Sequence, residues 1–217
     1  MEKKTIDKAA SDKNNQSLCI ILSNGSFPSH EVPLSFLRRA DYIVCCDGAA
    51  NQFIAHGGVP DAIVGDGDSL SEENKKRYRD RFFEDNDLNT NDLTKSIKFC
   101  ISQGMTNIVI LAATGKRDDH SLGNISLLAD YMQIADVKMV TDYGIFIPIS
   151  SNTSFESFKG QQVSIFSIDN ALITTYHLKY PLQSSVLTNW WQGTLNESCG
   201  ESFSIKTTGK VIVFQAF

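Results

Sequence analysis

Short apolar runs alternate with helix-like segments over the first two thirds of this 217-residue chain, and that rhythm restricts the fold most. The apolar runs are short enough to be strands and cover residues 18–22, 42–46, 62–64, 107–112 and 137–140. The helix-like segments cover residues 49–55, 72–81, 92–102 and 121–132. Strands and helices in this order predict a parallel sheet with helices on both faces.

The rhythm changes after about residue 150. Short apolar runs at 163–167, 171–175, 202–206 and 211–214 are separated by turn residues, which predicts a small all-β domain. We therefore expect an α/β domain over residues 17–145 and an all-β domain over 150–217. Residues 1–16 are polar, with charges of both signs, and are expected to form a disordered tail without a signal peptide.

Composition excludes several classes of protein. The formal net charge is −5 and no long Lys/Arg run offsets it, which argues against a nucleic-acid-binding surface. No apolar segment is long enough to cross a bilayer. The five cysteines form no CxxC pair and no zinc-ligand spacing, so reduced thiols are expected. Together these features favour a soluble cytoplasmic protein.

The segment Gly65-Asp66-Gly67-Asp68-Ser69 holds two carboxylates one residue apart, directly after an apolar run. Strand alternation would turn Asp66 and Asp68 the same way. Two converging carboxylates repel each other unless a cation or a shared proton lies between them, and they suit a divalent metal. An EF-hand is excluded, because Leu70 and Ser71 occupy positions where that loop needs an oxygen ligand and a glycine.

Other charged groups fall at the same predicted sheet edge. Asp47 follows the strand 42–46, Asp92 opens the helix 92–102, and the segment 115–120 follows the strand 107–112. Open α/β sheets bind ligands at the carboxyl ends of their strands, so these positions should converge. Asp92 taken alone is better explained as an acid favoured at a helix N-terminus.

The segment Gly115-Lys116-Arg117-Asp118-Asp119-His120 combines a glycine, two cations and two acids before a helix. Such a loop suits phosphate, although an exposed charged loop explains the same residues. The chain has no P-loop motif and no GxGxxG after a strand. Several acids and a few cations on an α/β sheet fit magnesium-dependent phosphoryl transfer.

From Ile20 to the C-terminus the chain resembles the thiamine pyrophosphokinases (thiamine diphosphokinases) in a series of ordered motifs. These are Asn24-Gly25, the segments 46–51, 65–69, 87–95 and 115–124, and in the all-β part the segments 178–182 and 193–197. The resemblance implies an ATP-binding α/β domain followed by a β-sandwich, and a homodimer that holds thiamine between subunits. It implies transfer of the pyrophosphoryl group of MgATP to the thiamine hydroxyl, giving thiamine diphosphate and AMP.

Two other functions stay open: a magnesium-dependent kinase for another small alcohol, and a non-catalytic module that binds a metal or a nucleotide.

The resemblance assigns roles residue by residue. The Mg²⁺ ligands would be Asp66, Asp68 and Asp92, with Asp47 as a supporting catalytic acid. The ATP and phosphate side would comprise Asn24, Asn51, Lys116, Arg117, Asp119, His120 and Asn124. The thiamine side would comprise Tyr180, Thr194 and Asn196.

Two tryptophans lie outside these motifs. Trp190 and Trp191 would offer ring faces to thiamine or fill the core, and strand alternation would bury only one of them. Three positions depart from the family's pattern. Gly67 replaces a usual Phe, Asn89 replaces an acid found in some relatives, and Leu195 replaces a common Ser.

Overall fold

The computed structural model describes residues 17–217, which contain five α-helices and fourteen strands, and the strands form two sheets. The helices are α1 Glu31–Arg39, α2 Ala49–Ala55, α3 Glu72–Arg77, α4 Asp92–Ser102 and α5 Asp118–Tyr131. The strands are β1 Cys19–Leu22, β2 Tyr42–Cys46, β3 Ala62–Gly65, β4 Phe82–Glu84, β5 Asn107–Leu111, β6 Asp136–Val140, β7 Gly144–Ile149, β8 Thr153–Glu156, β9 Gln162–Ser167, β10 Leu172–Tyr176, β11 Ser185–Val186, β12 Asn196–Glu197, β13 Ser202–Thr207 and β14 Val211–Ala216.

The larger sheet has ten strands in the order β12-β9-β14-β7-β6-β5-β1-β2-β3-β4. The six strands from β6 to β4 are parallel, as the alternating rhythm predicts. The other four join antiparallel through β7, so one mixed sheet passes from the α/β part into the all-β part. Strands β1, β3 and β5 are buried along almost their whole length, as expected for a sheet covered on both faces.

The second sheet has four antiparallel strands in the order β11-β10-β13-β8. Its inner face packs on β7, β9 and β14 in a separate hydrophobic core that includes Ile165, Ile173, Phe203 and Val213. Period-2 burial along β9, where Val163 and Ile165 are buried, directs alternate side chains into this core. The predicted α/β part followed by a β-sandwich is confirmed, while the domain limits at 145 and 150 stay a prediction.

Most of the predicted helices and strands are present, and the structure contains several more that were not predicted. The strand 42–46 and the helices 49–55 and 92–102 agree residue for residue. The predicted helix 72–81 was too long, because α3 ends at Arg77 and a 3-10 turn at Arg79–Arg81 leads into the unpredicted strand β4. The short strands β8, β11 and β12, helix α1 and strand β7 were also not predicted.

Helix α1 lacks a sequence start signal, because its N-cap is His30, whose Nδ1 accepts from the Val32 N–H. Strand β7 contains Pro148, which usually argues against a strand. Residues 17–217 contain no helix long and apolar enough to cross a membrane. The predicted tail 1–16 lies outside the described residues.

Candidate active site

A cavity of about 730 Å³ lies at the carboxyl ends of the central parallel strands, between the N-termini of α4 and α5. Its lining includes Ser23 and Asn24 after β1, Cys46 at the end of β2, and Asp66 after β3. Residues that follow β5 and residues in the first turns of α4 and α5 complete it. The cavity therefore lies at the sheet edge where the rule predicts a ligand site.

Asp66 and Asp68 are placed differently. Asp66 is half-buried and lines the cavity, whereas Asp68 is exposed and is not among the lining residues. Strand β3 ends at Gly65, and Gly67 has φ +80°, so strand alternation does not extend through this segment. The Asp66 Oδ1 instead accepts the Asp68 backbone N–H at 3.0 Å. The prediction that the Asp66 and Asp68 side chains turn the same way assumed that the strand continues through them, but β3 ends before both residues.

Asp47 lies beneath this segment and is 3% exposed. Its backbone has φ +39°, and its Oδ2 accepts the Ser69 N–H at 2.8 Å. Its Oδ1 is buried without a hydrogen-bond partner among residues 17–217. A Cβ at Gly65 would lie 2.7 Å from the Asp47 Cβ and 3.3 Å from Asp92 Oδ1. Only glycine therefore lets these two acids approach so closely around residue 65.

Asp92 is the first residue of α4, but it is not the helix cap. The N-cap is Asn91, whose Oδ1 accepts the Thr94 N–H at 2.8 Å. Burial raises the pKa of Asp92, the neighbouring Lys95 opposes this, and the charges of Asp47 and Asp66 raise it further. Because the capping role belongs to Asn91, the Asp92 carboxylate is available to the cavity that it lines.

The acidic side of the cavity suits a metal ion whose coordination shell is completed by a bound ligand. Asp66 and Asp92 both line the cavity, and the unpartnered Asp47 Oδ1 lies behind them. Within residues 17–217, no three His, Cys, Asp or Glu side chains are grouped closely enough to hold a metal ion alone. Mg²⁺ commonly takes one or two protein carboxylates and fills its other positions with substrate phosphates and water. The oxygen donors present fit that mode of binding.

The cationic side of the cavity is formed by Lys116 and Arg117, both exposed, just before α5. Arg117 donates to both oxygens of Asp119, at 3.1 Å and 2.5 Å, and this bidentate pair lowers the pKa of Asp119 to about 2. The Lys116 Nζ donates to Asn24 Oδ1 at 3.2 Å. Helix α5 begins at Asp118, three residues earlier than predicted, so its first turn, with Asp119 and His120, reaches the cavity.

The predicted asparagines divide into two groups. Asn24 and Asn124 line the cavity, and the Asn124 Nδ2 donates to the Ala113 carbonyl at 2.9 Å. Asn51 is not among the lining residues. Its Nδ2 donates to the Ser69 carbonyl at 2.8 Å, and its Oδ1 accepts from the Ser71 N–H at 3.1 Å. Asn51 thus stabilises the segment that follows Asp66 and Asp68 through hydrogen bonds to its backbone.

The predicted thiamine-side residues form a separate cluster in the all-β part, and none of them lines the cavity. The Asn196 side chain is buried and exchanges two hydrogen bonds with the Tyr180 backbone, at 2.8 Å and 3.1 Å. The Thr194 Oγ1 donates to the Trp191 carbonyl at 2.8 Å. Tyr180 is 60% exposed, and the Lys179 ammonium lies over its ring, 5.8 Å from the centroid.

The two tryptophans lie in a 3-10 turn, Trp190–Gly193, rather than on a strand. Both are exposed, Trp191 at 74% and Trp190 at 39%, so the prediction that alternation buries one of them was wrong. Trp190 still packs edge-on against Phe166, with ring centroids 5.8 Å apart. Neither ring fills the sandwich core.

Two family models match the chain one after the other. The thiamin pyrophosphokinase catalytic domain matches residues 34–141, and the thiamin pyrophosphokinase substrate-binding domain matches residues 144–214. The chain belongs to the thiamin pyrophosphokinase family. The resemblance seen in its ordered motifs is therefore confirmed.

Curated relatives and solved structures agree with this family. The chain is 29% identical to thiamine pyrophosphokinase 1 of Oryza sativa subsp. japonica over 161 residues, which is 63% of this chain and 60% of the rice protein. It is 27% identical to thiamin pyrophosphokinase 1 of Caenorhabditis elegans over 136 residues, 58% of this chain and 55% of that protein. The matched region thus spans less than two thirds of each relative's length.

Two solved thiamin pyrophosphokinases share the fold, each at 18% identity. The Candida albicans structure matches with a TM-score of 0.78 over 93% of this chain and 89% of its own. The Bacillus subtilis structure matches with a TM-score of 0.77 over 92% of this chain and 99% of its own.

The departures from the family pattern have structural neighbours in this member. A Cβ at Gly67 would meet the Phe82 ring at 2.9 Å, so an aromatic ring of β4 already occupies the space beside this position. Asn89 is exposed, and its backbone and side-chain N–H groups both donate to Asp87 Oδ1. Leu195 is 74% exposed with φ +60°.

Some lining residues were not predicted, namely Ser23, Asp87, Leu88 and Lys95. The sequence signal for Asp87 and Lys95 was their place in the family-like segment 87–95, which was read only for Asp92 and Asn89. Lys95 is one helical turn after Asp92 and therefore on the same helix face.

Proposed function

We propose that this chain transfers the pyrophosphoryl group of MgATP to the hydroxyl of thiamine, giving thiamine diphosphate and AMP. The observation that carries the proposal is the cavity, which sets carboxylates on one side against Lys116 and Arg117 on the other. A polyphosphate with bound Mg²⁺ carries charges that suit both sides. Family membership adds thiamine as the acceptor.

The proposed reaction is an in-line displacement at the β-phosphorus of ATP. The thiamine hydroxyl oxygen forms the new bond to this phosphorus, and the bond to the oxygen bridging the α- and β-phosphates breaks. AMP leaves with that oxygen, and the hydroxyl proton passes to a carboxylate of the cavity. Lys116 and Arg117 are placed to meet the phosphate oxygens, where their charge stabilises the transition state.

Asp66 and Asp92 are the residues that we propose to hold Mg²⁺, since both line the cavity. Bound Mg²⁺ would supply positive charge to the phosphate oxygens. Asp47 would support them from behind through its hydrogen bond to Ser69. Asp68 stays a predicted ligand, because its carboxylate is exposed in the described structure.

The separation of the two predicted binding clusters supports the proposal of a homodimer. Strand β12, which carries Asn196, is at one edge of the large sheet, and β3, which leads into Asp66, is eight strands away. At strand spacings of about 4.8 Å, these strands are about 38 Å apart along the sheet. One small acceptor cannot touch both within a single chain. We therefore propose that thiamine binds between the cavity of one subunit and the Tyr180 cluster of its partner.

A reducing compartment such as the cytoplasm suits this chain. All five cysteines are unpaired, including Cys19 and Cys100, whose sulfur atoms are 3.5 Å apart. An oxidising compartment would favour disulfides between such neighbours.

The test is a product assay on the purified protein with MgATP and thiamine, followed by chromatography. AMP and thiamine diphosphate should form in equal amounts, and Asp66→Asn should abolish both while the circular dichroism spectrum stays unchanged. Asp136→Asn is a matched control, because this exposed acid begins β6 at the opposite end of the sheet. Formation of ADP instead of AMP would contradict the proposed transfer. Full activity of Asp66→Asn would contradict the proposed site.

A further inference from the structure

Lys95 is a cation built into the interior side of the cavity. Its side chain is only 3% exposed, yet it is one of the lining residues. It lies on α4, where Leu93, Ser96 and Ile97 are also buried, and this helix packs against β1, β2 and β3. Lys116 and Arg117, in contrast, are exposed to solvent.

The ammonium group of Lys95 has more donors than the surrounding residues satisfy. It carries three N–H groups, and its one hydrogen bond among residues 17–217 goes to Asp92 Oδ1 at 3.3 Å. Burying a charge with unfilled donors costs free energy, whereas water completes the donors of an exposed lysine. A long ion pair to a half-buried carboxylate satisfies Lys95 only in part. The remaining donors border the cavity, so an anionic ligand there would complete them.

We propose that Lys95 is a catalytic residue that donates to the oxygens of the β- and γ-phosphates of the bound nucleotide. This inference rests on the proposed function and assigns one more group to the same site. A metal cation would be repelled by Lys95, whereas the pyrophosphoryl group carries most of the negative charge of ATP. Because Asp92 is a proposed metal ligand next to Lys95, the metal-bound phosphates would lie within reach of the ammonium.

The competing role is structural, with Lys95 serving only as the counter-ion that keeps Asp92 in place. The two roles differ in their dependence on the ligand. A group that touches the β- and γ-phosphates affects nucleotides that carry them and has little effect on AMP. A counter-ion of Asp92 that only maintains the cavity affects both nucleotides alike.

The experiment measures the binding of two nucleotides by calorimetry at one fixed Mg²⁺ concentration. One is an ATP analogue with a methylene group between its α and β phosphorus atoms, and the other is AMP. Lys95→Met should raise the Kd of the analogue about 10- to 100-fold, as expected for a lost charge-assisted hydrogen bond. The Kd of AMP should change less than about twofold. Lys98→Met is the matched control, since Lys98 is exposed on the same helix and is absent from the cavity lining.

Equal losses for the analogue and AMP, or no loss for either, would overturn the proposal. If Lys95→Met fails to fold, Lys95→Gln removes the charge and keeps a polar donor at the same position, and the same comparison applies. The result separates this proposal from the proposed reaction. If the wild-type protein makes no thiamine diphosphate and Lys95→Met weakens binding of the analogue, the proposed reaction is refuted and the role of Lys95 is supported. If the wild-type protein makes thiamine diphosphate and Lys95→Met binds the analogue as tightly as the wild type, only the proposed role of Lys95 is refuted.

Discussion

Gly65 is the point where a single methyl group should damage the site. In Gly65→Ala the new Cβ would lie 2.7 Å from the Asp47 Cβ and 3.4 Å from its Cα, so the conflict involves the Asp47 backbone as well as a side chain. Asp47 cannot easily withdraw, because it is buried at φ +39° and its Oδ2 is bonded to the Ser69 N–H. The same Cβ would lie 3.3 Å from Asp92 Oδ1.

Overpacking of this kind lowers the free energy of unfolding by about 1–3 kcal/mol. In a chain of this size each kcal/mol corresponds to a fall in Tm of about 2–4 °C. Because the acids must move apart, we also expect a higher Mg²⁺ concentration for half-maximal activity. Urea denaturation and a Mg²⁺ titration of activity measure the two effects.

Gly200→Ala is the matched control, because a Cβ at that position would meet no heavy atom within 4 Å. It should change the free energy of unfolding by less than about 0.5 kcal/mol. A Gly65→Ala protein with wild-type stability and wild-type Mg²⁺ dependence would refute the account of how residue 65 brings the two acids together.

Three further predictions concern the acid, the acceptor site and the dimer. Burial raises the pKa of Asp92, so the folded state binds a proton more readily than the unfolded state. The unfolding free energy of the wild type, relative to that of Asp92→Asn, should therefore fall as the pH rises from about 4 through the raised pKa. Denaturation at several pH values measures this difference, and a rise would contradict the prediction. Tyr180→Ala should raise the KM of thiamine and leave that of ATP unchanged, whereas Tyr176→Ala, which removes an exposed tyrosine of β10, should change neither; steady-state kinetics decide, and an equal effect on both substrates would count against the assignment. At a thiamine concentration far below the raised KM of Tyr180→Ala, where both variants are nearly inactive, mixing the Asp66→Asn and Tyr180→Ala proteins should restore about a quarter of wild-type activity, because half of the dimers are mixed and each has one intact composite site; no recovery after subunit exchange would argue against a shared site.

The sequence predicted elements that local signals define and failed where pairing is distant. Helix 92–102 has an asparagine cap, apolar residues four apart and a glycine after its end, so it was predicted to the residue. Strand β7 depends on β14, more than sixty residues later in the chain. Its Pro148 is tolerated because pairing with β6 stops at Phe146 and leaves no partner for the missing N–H on that side.

The candidate site was predictable to the extent that the sheet-edge rule applies. Asp47, Asp66 and Asp92 converge as that rule requires, since each follows a parallel strand or opens a helix beside one. Asp68 and Asn51 depend on the turn after β3, whose path was not readable from alternation. Lys95 was missed because it lies off the apolar stripe of Leu93 and Ile97, where a lysine is expected to face solvent. Its burial, its contact with Asp92 and its place in the cavity lining are visible only in the structure.

The most direct test of the central claim follows the β-phosphate of ATP. ATP labelled at that phosphorus is incubated with Mg²⁺, thiamine and the purified protein, and the labelled products are separated. Pyrophosphoryl transfer predicts that the label appears in thiamine diphosphate and that the AMP formed is unlabelled. Label retained in ADP, with or without a singly phosphorylated acceptor, would contradict the account.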